Sequence, residues 1–236
     1  MRLTKVTITG ADADTDRAAL DALEAEYPFV EWAILVSPKR AGGPRYPETD
    51  DVVRLFDGRP TCNAAFHLCG GAAQKVFTGE GYNGLRGLRI QVNGFTKWVD
   101  EHGPLTPFGQ WVSVVRSQGT EVILQVQHER ALSVARLLAD IHPNIVALWD
   151  QSGGRGRLTA WPDPLPGLRM GYAGGITPEN VKHAIEDLIA RPSDIETWID
   201  MESGVRTADK LDLDKVRSVL EQAAPYVQRA EPAVLS

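Results

Sequence analysis

Short apolar runs alternate along this chain with stretches whose apolar residues recur every three or four positions. Leu3–Thr9 alternates apolar and polar side chains and stops at Gly10, the pattern of a strand. From about Thr15 the period lengthens, and Ala19, Leu20, Leu23 and Tyr27 fall on one helical face. Trp32–Ser37 is almost wholly apolar, as a strand covered on both faces should be. The same reading predicts a short helix at Asp50–Phe56 and strands at Ala64–Cys69, Leu88–Asn93 and Val122–Gln127. A helix over Arg130–Ile141 then leads into a strand at Ile145–Trp149. Leu168–Tyr172 and Thr197–Met201 are the last two strands, with helices near Pro178–Ala190 and Leu213–Ala224. Residues 72–87 and 95–120 are rich in Gly, Pro and polar residues, so the helix limits there stay open.

Strand–helix units spaced roughly 30 residues apart predict an α/β fold with a parallel sheet and crossover helices. Eight units predict closure into a single (β/α)₈ TIM barrel over 1–236, close to the roughly 250 residues typical of that fold. An open doubly wound sheet is the alternative, but no Gly-rich dinucleotide fingerprint follows the first strand. No linker or shift in composition divides the chain, so one domain is expected.

Charge and composition act by exclusion. A net charge of −6 argues against a nucleic-acid partner, which a strongly basic surface usually serves. Cys62 and Cys69 fit no zinc spacing and no disulfide framework, which points to a reducing compartment. Arg2–Thr9 reads as a strand, not a signal peptide, and no apolar stretch is long enough to span a membrane. A cytoplasmic protein without a membrane partner is expected. No cluster of His, Asp and Glu has ligand spacing, and no cofactor is implied.

In such a barrel the loops at the carboxyl ends of the strands carry function, and phosphate commonly binds after strands seven and eight. Strand seven runs into Tyr172-Ala173-Gly174-Gly175-Ile176-Thr177-Pro178-Glu179-Asn180-Val181. Gly174 and Gly175 let backbone approach a ligand, and Thr177-Pro178 is a helix-start signal. Strand eight runs into Asp200-Met201-Glu202-Ser203-Gly204-Val205-Arg206, where Ser203 and Gly204 can turn N–H groups toward an anion. Each segment alone is equally a tight turn before a capped helix; together they predict binding of a phosphorylated small molecule.

These motifs resemble the phosphoribosylanthranilate isomerase family of tryptophan biosynthesis. The family's AGG(I/L)TPENV stands here as Ala173–Val181. Its D-x-S-S-G-V-E stands as Asp200–Arg206, with Glu202 for the first serine and Arg206 for the glutamate. The strand-six pattern, L-D-S followed by G-G-T-G and a tryptophan, matches Trp149-Asp150-Gln151-Ser152-Gly153-Gly154-Arg155-Gly156 with Trp161 beyond. Ile90-Gln91-Val92-Asn93-Gly94 is a looser counterpart of V-Q-L-H-G. The match is dense over 145–216 and sparse before it.

The resemblance implies an Amadori rearrangement of an aminoaldose phosphate into an aminoketose. A general acid opens the ribose ring and a general base takes a proton from C2 of the resulting imine. The implied acid is Asp150, although an aspartate in a Gly-rich turn also serves as a cap. The implied phosphate set is Gly174, Gly175, Ser203 and Gly204, with Gly154; Gln91 and Asn93 face the substrate. The loop Ser37–Tyr46 resembles S-P-R-Y, in which an arginine meets the anthranilate carboxylate, and either Arg40 or Arg45 can take that part. Arg206 adds positive charge close to the phosphate loops. The family's basic cysteine, in K-I-C-G, is Thr9 in Thr7-Ile8-Thr9-Gly10. A threonine hydroxyl ionises far above neutral pH, so Thr9 holds the position without the role. Asp12, Asp14, or the alternating pair His67 and Cys69 can supply a base; each is equally a cap, a solvated charge or a packed core residue. Three readings follow: an isomerase with a substituted base, a different enzyme on the same scaffold, or a binder of a phosphorylated metabolite.

Overall fold

The computed structural model describes residues 1–57, 63–81, 89–102, 106–152 and 160–228. Eight parallel strands close into a barrel in sequence order: β1 (Arg2–Thr9), β2 (Val30–Val36), β3 (Ala64–Leu68), β4 (Arg89–Val92), β5 (Glu121–Val126), β6 (Ile145–Trp149), β7 (Met170–Ala173) and β8 (Glu196–Met201). Pairing of β1 with β8, Thr7 opposite Asp200 and Ile8 opposite Met201, seals the ring. The helices are α1 (Arg17–Glu26), α2 (Thr49–Phe56), α3 (Gly71–Phe77), α4 (Phe95–His102), α5 (Thr106–Arg116), α6 (Glu129–Ile141), α7 (Val181–Ile189) and α8 (Leu213–Ala223).

The regular alternation expected from the pattern is broken twice. Two helices, α4 and α5, follow β4. Between β6 and β7 no helix occurs among the described residues. The Thr177-Pro178 signal also leads the helix by a turn. Residues 178–180 form a turn closed by Asn180 N–H to the Thr177 carbonyl, while Thr177 N–H donates to Asn180 Oδ1 at 2.8 Å, and α7 begins at Val181.

Strand side chains alternate between two separate apolar layers. Outward residues such as Ile8, Trp32, Phe66, Leu124, Tyr172 and Ile199 pack beneath the helices in one large core. Inward residues Ile123, Val146, Leu148, Ala173 and Trp198 form their own cluster on the barrel axis. Gly171 makes room for the Trp198 ring, since a Cβ there would stand 2.1 Å from it. At the amino ends of the strands the interior is ionic. Glu31 is fully buried, accepting from Thr7 Oγ1 at 2.8 Å and pairing with Arg89 at 2.6 Å and Lys5 at 3.1 Å. Burial pushes the Glu31 carboxyl up, but Arg89 and Lys5 outweigh it and hold the group below the usual range. Arg89 also pairs with Glu121 at 2.6 Å and lies over the Trp198 ring, so this end of the barrel is plugged. The opposite end is open. Among the described residues no helix is long and apolar enough to cross a membrane, and no group of His, Cys, Asp and Glu could hold a metal ion.

Candidate active site

The inward positions at the carboxyl ends of the strands line a cavity that opens at the rim of the barrel. Its wall carries Thr9 from β1, His67 from β3, Gln91 from β4, Gln125 from β5, Asp150 after β6 and Asp200 from β8. Its rim is formed by Gly174–Gly175 and by Glu202–Gly204.

The rim segments touch because both are built from small residues. Gly174 and Gly175 have φ of +100° and +69°, in the left-handed region that glycine reaches without strain. Asn180 Nδ2 donates to the Gly175 carbonyl at 2.8 Å and fixes the turn. Gly204 packs so closely that a Cβ would stand 1.9 Å from the Ile176 carbonyl oxygen. Among the described residues the N–H groups of Gly174, Gly175, Ser203 and Gly204 donate to no backbone acceptor. The four donors border one cavity, an arrangement suited to an anion. Gly154 lies outside the described residues.

Two carboxylates are buried in the wall. Asp150 accepts from Gln125 Nε2 at 2.8 Å and from Ser152 Oγ at 2.6 Å, which fixes the direction of the carboxyl plane. Asp200 accepts from Thr9 Oγ1 at 2.7 Å. Burial pushes the Asp200 pKa up to about 8; the Thr9 hydrogen bond opposes this, and the charges of Asp150, Glu202 and Glu31 add to it. In the sequence Asp200 is one letter of the strand-eight motif, with no role marked by its neighbours. Its inward direction and its contact with Thr9 follow from barrel closure, which brings together residues 191 apart.

His67 also faces inward and is buried, and desolvation lowers its pKa to about 3, so its ring is neutral. His67 Nε2 and Gln91 Oε1 are buried polar atoms without a partner among the described residues. Cys69 does not share the cavity with His67, because β3 ends at Leu68 and the chain turns outward. The thiol lies in an adjoining basin with Lys39, Arg40, Arg45, Tyr46 and Asn93. There it accepts from Asn93 Nδ2 at 3.1 Å, and burial pushes it above the ordinary thiol range, away from thiolate.

The two arginines of the β2 loop differ in engagement. Arg45, at φ +68°, pairs with Glu202 at 2.6 Å and Asp209 at 2.5 Å and also reaches Ser203 Oγ. Arg40 donates to Tyr46 Oη at 2.9 Å and stacks over that ring, with no carboxylate partner among the described residues. Arg206 does not line this cavity. It is buried and pairs with Asp12 at 2.7 Å, donates to the Gly10 carbonyl at 2.6 Å and also bonds the Asp209 carbonyl. Its charge is spent on tying the β1 loop to the β8 loop. The same contact takes Asp12 out of consideration as a base; Asp14 is exposed and pairs with Lys210 at 2.7 Å.

Comparison with known proteins finds relatives of one family. The family model of N-(5'-phosphoribosyl)anthranilate isomerase matches residues 96–222. Two curated relatives carry that name. One, from Synechococcus sp. (strain JA-2-3B'a(2-13)), is 35% identical over 159 residues, and the other, from Synechococcus sp. (strain JA-3-3Ab), is 32% identical over 154. Each alignment covers 56% of this chain and 60% of the relative, so the chain spans about three fifths of the proteins it matches. The solved N-(5'-phosphoribosyl)anthranilate isomerase of Pyrococcus furiosus superposes over 94% of this chain and 99% of its own, with a TM-score of 0.54 at 15% identity. At that identity the likeness speaks for the fold.

Proposed function

Because the chain belongs to the N-(5'-phosphoribosyl)anthranilate isomerase family, we propose that it isomerises phosphoribosylanthranilate to the corresponding aminoketose phosphate. One observation carries this reading. A single cavity sets the buried carboxylates of Asp150 and Asp200 beside an open cradle of backbone N–H groups at Gly174, Gly175, Ser203 and Gly204. An aldose-to-ketose shift needs one group to give a proton and one to take it, together with an anchor that holds the sugar between them.

The phosphate sits in the cradle. Asp150, its plane fixed by Gln125 and Ser152, gives a proton to the ribose ring oxygen as the ring opens. The unpartnered His67 Nε2 and Gln91 Oε1 meet ribose hydroxyls, because buried polar atoms in functional sites generally find their partner in the ligand. Arg40, free of acidic partners among the described residues, meets the anthranilate carboxylate across the adjoining basin. Arg45 instead neutralises Glu202, which would otherwise place a carboxylate against the phosphate.

Turnover of phosphoribosylanthranilate by the purified protein tests the reading. Asp150→Asn should cut turnover by about 10²–10⁴-fold, the usual share of one acid–base group, while inorganic phosphate still binds. A wild-type protein that binds phosphate but leaves phosphoribosylanthranilate unchanged would leave only the binding half standing.

A further inference from the structure

We propose that Asp200 is the general base that replaces the family's cysteine, and that Thr9 is the residue that positions it. The inference rests on the isomerase reading above. The side chain at the cysteine position, Thr9, cannot ionise near neutral pH, yet it points into the cavity and its hydroxyl ends 2.7 Å from Asp200 Oδ1. The missing thiolate and this carboxylate are therefore one hydrogen bond apart. Among the described residues Thr9 is the one hydrogen-bond partner of Asp200, on Oδ1, and Asp200 lines the cavity. Asp150, in contrast, is held on both oxygens by Gln125 and Ser152.

The proton account closes. Asp150 protonates the ring oxygen as the nitrogen lone pair breaks the ring C–O bond, leaving a protonated imine. Asp200, as carboxylate, takes the proton from C2. The C–H electron pair becomes the C1–C2 double bond, and the C=N pair returns to nitrogen. The resulting enol collapses to the ketone: its hydroxyl proton goes back to Asp150, and Asp200 returns its proton to C1. Both carboxyls end as they began, and the product is an isomer of the substrate.

The groups facing Asp200 fit this work. Thr9 on β1 donates to it; Glu202 at the rim and Glu31 on β2 bear negative charge toward it, as Asp150 after β6 does once it has given its proton to the ring oxygen; His67 on β3 is neutral, and Arg45 offsets Glu202. A carboxylate in such a setting is a far stronger base than one in water and titrates near working pH.

The experiment compares wild type, Asp200→Asn, Thr9→Val and Thr9→Ser on phosphoribosylanthranilate across pH. Absence of turnover in the wild type would overturn the isomerase reading itself. Given wild-type turnover, kcat/KM should climb with pH through a midpoint near 8 and level off above it. Asp200→Asn should lose about 10²–10⁴-fold in kcat with inorganic phosphate still bound. Asp200→Asn with wild-type kcat would overturn this inference and leave the isomerase reading intact. Thr9→Val removes the bond that eases ionisation, so the rising limb should move to higher pH, and Thr9→Ser should bring it back. This arm decides the matter even where Asp200→Asn fails to fold: a limb that stays in place in Thr9→Val would overturn the assignment.

Discussion

The hydroxyl of Thr9 donates a 2.7 Å hydrogen bond to Oδ1 of Asp200, joining the first strand of the barrel to the last. The bond does two things. It satisfies a hydroxyl that would otherwise be buried without a partner, and it stabilises the ionised form of a carboxyl that burial strongly disfavours. Folding and chemistry therefore meet at one contact.

A pH dependence of stability follows. The Asp200 pKa rises from 3.8 to about 8 on folding, so the folded protein holds a proton that the unfolded chain releases. Its favourable contribution is complete below about pH 4 and is lost as pH rises through 8. Asn does not titrate. The melting temperature of Asp200→Asn relative to wild type should therefore rise steadily between pH 4 and pH 8 and then level off. His67, with its pKa lowered to about 3, gives the opposite slope, costing stability as pH falls below 6.5 in both proteins alike. Calorimetric melts across this range check the difference, and a pH-independent one would mean that Asp200 does not carry the proton.

The proposed anion cradle depends on contact between two loops. Gly204→Ala would put a methyl group 1.9 Å from the Ile176 carbonyl and force the loops apart. The expected result is a loss of phosphate affinity of at least about tenfold, with a stability cost of about 1–3 kcal/mol, the usual size of an overpacking penalty. Isothermal titration with inorganic phosphate reads the first quantity. Affinity equal to wild type would place the anion elsewhere.

The two arginines of the β2 loop should separate kinetically. Arg40→Gln removes the charge offered to the substrate carboxylate, so KM should rise about 10–100-fold with kcat little changed, in keeping with one charged hydrogen bond. Arg45→Gln leaves Glu202 uncompensated beside the cradle, so it should weaken inorganic phosphate itself. The reverse assignment would show as loss of phosphate binding in Arg40→Gln.

Much of the barrel was legible because parallel strands covered on both faces leave unbroken apolar runs. Ile145–Trp149 and the core of β2 could be placed from the chain alone. The close turns after β7 and β8 were legible through their glycines. Long-range contacts were not. That Arg206 reaches back to Asp12 and Gly10, instead of lining the cavity, depends on the β1–β8 seam and leaves no local trace. The ionic plug around Glu31 lies in a strand that reads as apolar apart from that residue. Cys69 fell on the wrong side for a local reason: β3 ends one residue earlier than the alternation predicts, so the thiol leaves the inward face.

The central claim is that this family member runs its isomerisation on carboxylates without a thiol. The most direct measurement is the initial rate of phosphoribosylanthranilate conversion by a protein in which Cys62 and Cys69 are both replaced by serine. The account predicts a kcat within about twofold of wild type, because neither sulfur takes a proton. A fall of about 10²-fold or more, the loss expected for removing a general base, would return that role to a cysteine and contradict the assignment of Asp200.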